Sequence, residues 1–170
     1  MNDTVSTNES QGQETITKAG KYLTFILAGE EYGIAILKVK EIIGMMPVTP
    51  VPKAPSFVKG VINLRGKVIP IMDLRLKFGM EPLDYNERTC IIVVEVTTAE
   101  AGVTMGLIVD SVSEVLNIRA EDIQETPTFG AQIDTDYILG IAKMDGKVKI
   151  LLDIDKVLSL RELHDMEKAA

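Results

Sequence analysis

Two blocks of this chain recur in the same order, and that recurrence limits the folds open to it. Residues 33–43 (GIAILKVKEII) align with residues 106–116 (GLIVDSVSEVL), keeping the Gly, a Val, a Glu and nearly every aliphatic position. Residues 57–78 (FVKGVINLRGKVIPIMDLRLKF) align with residues 137–158 (YILGIAKMDGKVKILLDIDKVL). The second match pairs Gly60 with Gly140, Gly66-Lys67-Val68 with Gly146-Lys147-Val148, and Asp73 with Asp153. Gly106 stands 73 residues after Gly33 and Tyr137 stands 80 after Phe57, so the second copy carries a net insertion of seven. A period this long is outside the roughly 20–50 residues of a solenoid repeat and points to two copies of one small module packed together.

The modules read as β-structure. Short β-prone runs at residues 22–27, 31–36, 57–63, 67–72, 88–97, 103–109, 137–143 and 147–152 are separated in several places by Gly-containing breaks, as in an all-β sandwich or barrel. Gly66 and Gly146 stand where two apolar strands meet at a tight turn and are expected at positive φ, while Asp73 and Asp153 are placed to cap short helical turns. These four are structural, because both copies keep them. Arg65 faces Asp145 in the alignment and Pro70 faces Ile150, and positions where the copies diverge are the better places to look for function.

Composition removes several classes of chemistry. One Cys (Cys90) and one His (His164) in 170 residues leave no intramolecular disulfide, no cysteine zinc cluster and no histidine-based site. No metal and no cofactor is expected. The phosphate-cradling, dinucleotide, zinc-protease and nucleophile-elbow motifs are all absent, so catalysis has no support. A net charge of −7 with four Phe, four Tyr and no Trp disfavours nucleic acid as a partner. The charge is unevenly spread: residues 51–80 hold six bases and one acid, and residues 81–145 hold thirteen acids and three bases, which suits a partner of complementary charge. No apolar run approaches the roughly 20 residues of a membrane span. With a polar start, residues 1–19 read as a mobile tail, the folded domain as 20–160, and residues 161–170 as a C-terminal helical tail. A cytoplasmic setting is expected.

Val39, Ile42 and Ile43, with Glu41 among them, have near-helical spacing and form either an apolar ridge beside a carboxylate or ordinary core. Pro47, Pro50, Pro52 and Pro55 then make a stiff connection that suits a docking platform.

At this point the residues resemble a known family. Tyr32-Gly33-Ile34, Val39-Lys40-Glu41-Ile42-Ile43, Pro52-Lys53-Ala54-Pro55, the segment from Gly60 to Arg75 with its G-V-x-N-L-R-G-x-x-x-P-x-x-D-L pattern, Val109-Asp110-Ser111-Val112 and the Ile150-Leu151-Leu152-Asp153 ending look like the CheW-like family of bacterial chemotaxis coupling proteins. The likeness runs from about Lys21 to Ser159. It implies an all-β fold of two packed five-stranded SH3-like barrels with short helices, and leaves open whether strands are exchanged between them. It also implies a non-enzymatic scaffold that bridges the cytoplasmic tips of methyl-accepting chemoreceptors to the regulatory domain of the histidine kinase CheA in receptor arrays. An adaptor for a receptor–kinase pathway outside chemotaxis is the alternative. Carried over by motif, Val39, Glu41, Ile42 and Ile43 lie near receptor contact. Gly60 supports the fold beside them, and Leu64 and Arg65 in the N-L-R-G turn contact a partner. The same domain also occurs in CheA and in CheV, and 170 residues favour the stand-alone form.

Overall fold

The computed structural model describes residues 18–97, 102–127 and 136–157. Eleven strands lie within them: β1 (Gly20–Leu27), β2 (Glu30–Ala35), β3 (Val39–Gly44), β4 (Val58–Leu64), β5 (Lys67–Asp73), β6 (Cys90–Thr97), β7 (Gly102–Val109), β8 (Ser111–Ile118), β9 (Ile123–Gln124), β10 (Ile138–Met144) and β11 (Lys147–Leu152). Short helices α1 (Leu74–Lys77) and α2 (Ile154–Val157) follow β5 and β11. The expected N-terminal tail up to residue 17 and the C-terminal tail with His164 lie outside the described residues.

The strands form two sheets, one in the order β8-β1-β2-β11-β10-β9 and the other in the order β3-β6-β7-β5-β4. The repeat maps β1 onto β6, β2 onto β7, β3 onto β8, β4 onto β10 and β5 onto β11. Under that mapping the two orders are the same, with β9 the one addition, so the expected five strands become six in the first barrel. The second barrel takes three strands from the first half of the chain and two from the second, and the first barrel takes two from the first half and four, β9 included, from the second. The parallel pairs carry the exchange: Gly33 on β2 is opposite Leu151 on β11, and Gly106 on β7 is opposite Ile71 on β5.

Each sheet closes on itself at equivalent points. The chain leaving β3 returns to β4 through paired backbone bonds between Thr49 and Val61, both 2.9 Å, and β9 meets β10 at Gln124 and Ile141. Closure removes open edges that would otherwise pair with other chains.

The hairpin turns show why the copies keep their glycines. Arg65 and Gly66 have φ of 53° and 84°, and Asp145 and Gly146 have 53° and 74°. Both are two-residue turns with positive φ at each position, the geometry that matches strand twist. The Asp73 carboxylate accepts hydrogen bonds from the backbone N–H of Arg75 and Leu76, and Asp153 accepts from Asp155, so both cap as expected.

Alternation in the strands divides the core in three. Ile91 and Val93 on β6 point into the second barrel with Ile62, Ile69, Ile71 and Ile108. Ile92, Val94 and Val96 on the other face join Leu23, Phe25, Leu27, Ile34, Met72, Leu107 and Leu152 in a core shared by the two barrels. Tyr22, Ile118, Ala142 and Leu151 fill the first barrel. A ladder of stacked rings, Phe25–Tyr32–Phe78–Tyr137, runs through the shared layer with centroids 5.9, 6.2 and 5.5 Å apart. Burial on both faces of β6 explains its unbroken run from Ile91 to Val94.

Candidate partner-binding surface

The segment from Val39 to Gly44 corrects the near-helical reading: it is β3, the outermost strand of the second sheet. A bulge explains the misleading spacing. Val39 is opposite Val94 and Glu41 is opposite Val93, so Lys40 is an extra residue on β3 and the two-residue period loses phase there. Its repeat counterpart β8 bulges at the matching place, between the partners of Leu23 and Phe25.

The bulge sends the four candidate side chains on this strand to different places. Val39 packs against the shared core, and Ile43 packs against the core of the second barrel. Ile42 faces outward, 43% exposed. Glu41 is aimed at the β4–β5 turn, where Arg65 meets it in a two-pronged ion pair: Nη1 donates to Oε1 at 2.6 Å and Nη2 donates to Oε2 at 2.7 Å. Two parallel charge-assisted bonds fix the plane of the guanidinium as well as its position. These bonds hold the Glu41 carboxyl below the usual glutamate range and raise Arg65, with partial desolvation opposing each shift.

The turn itself is pinned from below. The Asn63 side-chain oxygen accepts from the Gly66 N–H at 2.8 Å, and Leu64 packs on the same core cluster as Ile43, Met45, Met46 and Val48. Thus Glu41 and Arg65 are joined where β3 meets the β4–β5 turn, with Leu64 packed beneath that turn and Ile42 the next residue along β3. Gly60 does not present a surface. It sits at a β-bulge rather than a turn, with φ of 142°, and a Cβ there would stand 1.9 Å from the Thr49 carbonyl oxygen. Its role is to let the chain after β3 lie against β4.

Sequence reasoning missed several residues of this surface. Lys40 and Lys67 both reach the Thr104 hydroxyl, at 3.0 and 3.4 Å, and Val68 is 49% exposed beside the turn. The repeat carried a signal for the apolar ones, because their counterparts are exposed too: Val115 matches Ile42, and Val148 matches Val68. A shallow pocket of about 440 Å³ opens nearby, lined by Met45, Met46, Val48, Pro50, Ser56, Val58, Lys59 and Tyr85. Tyr85 donates to Asp73 Oδ2 at 2.7 Å, and burial followed by that hydrogen bond pushes its phenol well above the ordinary tyrosine value.

Among the described residues no cluster of His, Cys, Asp and Glu is arranged to hold a metal ion, and no helix is long and apolar enough to cross a membrane. Paired β-barrels, with an ordered surface ion pair and the exposed aliphatics Ile42 and Val68, define a small all-β domain. The chain belongs to the CheW-like domain family, whose model matches residues 21–162. It is 41% identical to the chemotaxis protein CheW of Klebsiella aerogenes, over 95% of this chain and 91% of that protein. The corresponding protein of Bacillus subtilis is 33% identical, over 81% and 86%. The crystal structure of the scaffolding protein TtCheW from Thermoanaerobacter tengcongensis superposes with a TM-score of 0.74 at 38% identity, covering 85% of this chain and 95% of that one.

Proposed function

We propose that this chemotaxis scaffold couples the cytoplasmic tips of methyl-accepting receptors to the regulatory domain of the histidine kinase CheA, and that it does so without catalysis, cofactor, nucleic acid or membrane insertion. The observation that carries the reading is the Glu41–Arg65 ion pair at β3, with the exposed Ile42 next to Glu41 along the strand. Its polar groups are fixed before a partner arrives, and Ile42 is 43% exposed. A helical hairpin offers aliphatics at helical spacing to such a strip, the logic of helix-on-surface recognition. Val39, Ile43, Leu64 and Gly60 act behind it by holding β3 and the turn in place. The protein is expected in the cytoplasm, gathered at membrane arrays where many weak contacts add through multivalency.

The test is reconstitution. Membranes bearing a receptor, the purified kinase and this chain are sedimented together, and kinase autophosphorylation is followed. The chain should bring the kinase down with the membranes and change its activity, while the Ile42→Asp variant should fold normally and do neither. Kinase recovery that is the same with and without the chain would reject the coupling role. ATP hydrolysis by the chain alone, rising with its concentration, would reject the non-catalytic one.

A further inference from the structure

Much of the packing between the halves would serve an exchanged or an unexchanged arrangement alike. Gly33 and Gly106 hold matching places in β2 and β7, and Ile71 and Leu151 hold matching places in β5 and β11. If each half folded on itself, Gly33 would lie opposite Ile71 and Gly106 opposite Leu151, with one aliphatic replacing another. Buried neighbours such as Ile34 and Leu107, or Met72 and Leu152, are also interchangeable, with Tyr32 against Met105 the exception.

The charges are not interchangeable. Arg75 on α1 donates from Nη1 to Asp110 Oδ2 at 2.6 Å, where the chain passes from β7 to β8, and the same oxygen accepts from the Ala28 N–H at 2.8 Å. Arg75 Nε also donates to the Glu81 carbonyl at 2.9 Å. At the matching crossover from β2 to β3, Lys38 Nζ lies 2.7 Å from Asp155 Oδ2 on α2, and Asp155 Oδ1 accepts from the Thr97 N–H at 2.8 Å. Between the parallel strands β2 and β11, the buried Lys149 pairs with Glu31, its register neighbour. Each of these three ion pairs joins one half of the chain to the other. The Glu41–Arg65 pair lies within the first half and would survive either arrangement.

The two crossover clasps have opposite polarity: the helix supplies the cation in one and the anion in the other. In a chain without exchange, α1 would dock on the crossover of its own half. Arg75 would then face Leu37 and Lys38 in place of Asp110, and Asp155 would face Asp110. Glu31 would stand opposite Ile69 and Lys149 opposite Thr104, leaving a buried ammonium without its carboxylate. Such a loss is far more costly than the pair is favourable. We propose that these three ion pairs, rather than the apolar core, select the exchanged arrangement. The inference is independent of which partners the protein binds.

Isotope-labelled full-length chain, unfolded in urea and refolded, tests this through backbone contacts measured by nuclear Overhauser spectroscopy. The wild type should show Gly33–Leu151 and Gly106–Ile71 contacts. In Arg75→Asp/Asp155→Arg/Lys149→Met, which gives each helix the charge its own crossover attracts and removes the buried cation opposite Glu31, those contacts should weaken and Gly33–Ile71 and Gly106–Leu151 contacts should appear. Retention of the exchanged contacts alone, at any melting temperature, overturns the proposal. Should that variant fail to fold, the Arg75→Gln/Asp155→Asn/Lys149→Met chain, which lacks all three pairs, decides. If it folds with the exchanged contacts alone, the pairs do not select the arrangement and the proposal is overturned; if Gly33–Ile71 or Gly106–Leu151 contacts appear, it stands. If that chain also fails to fold, the proposal is overturned.

Discussion

Gly60→Ala adds one methyl group where the structure has no space for it. The Cβ would lie 1.9 Å from the Thr49 carbonyl oxygen and 2.6 Å from its carbon, and the φ of 142° is one that L residues rarely adopt. Backbone strain of this kind costs roughly 1–3 kcal/mol. Relieving the overlap means moving Thr49 away from β4, which breaks its two 2.9 Å bonds with Val61, at roughly 0.5–1.5 kcal/mol each. The expected loss is about 3–5 kcal/mol, a large share of the roughly 5–15 kcal/mol that holds a domain folded. At roughly 2–4 °C per kcal/mol for a chain of this size, the melting temperature should fall by about 6–20 °C. The repeat supplies the control. Gly140→Ala places its Cβ 2.9 Å from a methyl of Ile123 and 3.0 Å from the Gln124 carbonyl oxygen, with no positive φ, an overpacking worth about 1–2 kcal/mol. Thermal unfolding followed by circular dichroism, with urea titration to confirm, separates the two. A Gly60→Ala chain melting within about 3 °C of wild type, or above Gly140→Ala, would refute the reasoning.

Arg65→Ala should leave the melting curve nearly unchanged, because the ion pair is solvent-exposed, yet weaken capture of the kinase or receptor by about tenfold or more in a binding titration. Asp145→Ala at the matching turn should have a smaller effect, and unfolding of the Arg65 variant would mark the residue as structural. The Glu41 carboxyl, followed by carbon NMR, should titrate below the ordinary glutamate range and move back up in Arg65→Ala, since the hydrogen bonds from Arg65 are the main cause of its shift. Its value is lowered on folding, so the pair's contribution is complete at neutral pH, present above the unfolded value, and lost only as pH falls through the folded one. Arg65→Gly should raise the melting temperature by a few degrees, through relief of the positive φ, while weakening the same binding about as much as Arg65→Ala does.

The duplication was legible because matching positions meet the same physical demand in both copies, with a glycine at a close approach, an aspartate at a helix start and aliphatics on one strand face. The strand exchange was not, since a parallel pair such as Gly33 and Leu151 joins residues far apart in sequence and no local pattern names the partner. The same distance hid the ion pair of Glu41 and Arg65: each residue stood out alone, and only closure of the barrel puts them in contact. Strand β3 misled because Val39, Ile42 and Ile43 imitate a helical stripe once the bulge at Lys40 breaks the alternation. Gly60 was legible only as a support for the fold, since the carbonyl it accommodates belongs to Thr49 in the preceding connection.

The turn at Arg65 is an expensive place for a long side chain. Both central residues need positive φ, which Asn and Gly adopt at little cost, whereas Arg carries the strain of a Cβ in the left-handed region. That position holds the guanidinium stem in one direction and sets its head against the Glu41 carboxylate. Two of the five N–H donors of the group are engaged by Glu41 in the bidentate pair, and the remainder stay available on a side chain that is 73% exposed. If a partner carboxylate or carbonyl binds Arg65 as proposed, it meets donors already oriented, and the entropy of ordering a flexible Arg would not be lost again on binding. Lysine at the same position would keep the charge and lose the fork, so Arg65→Lys should behave in coupling more like Arg65→Ala than like the wild type.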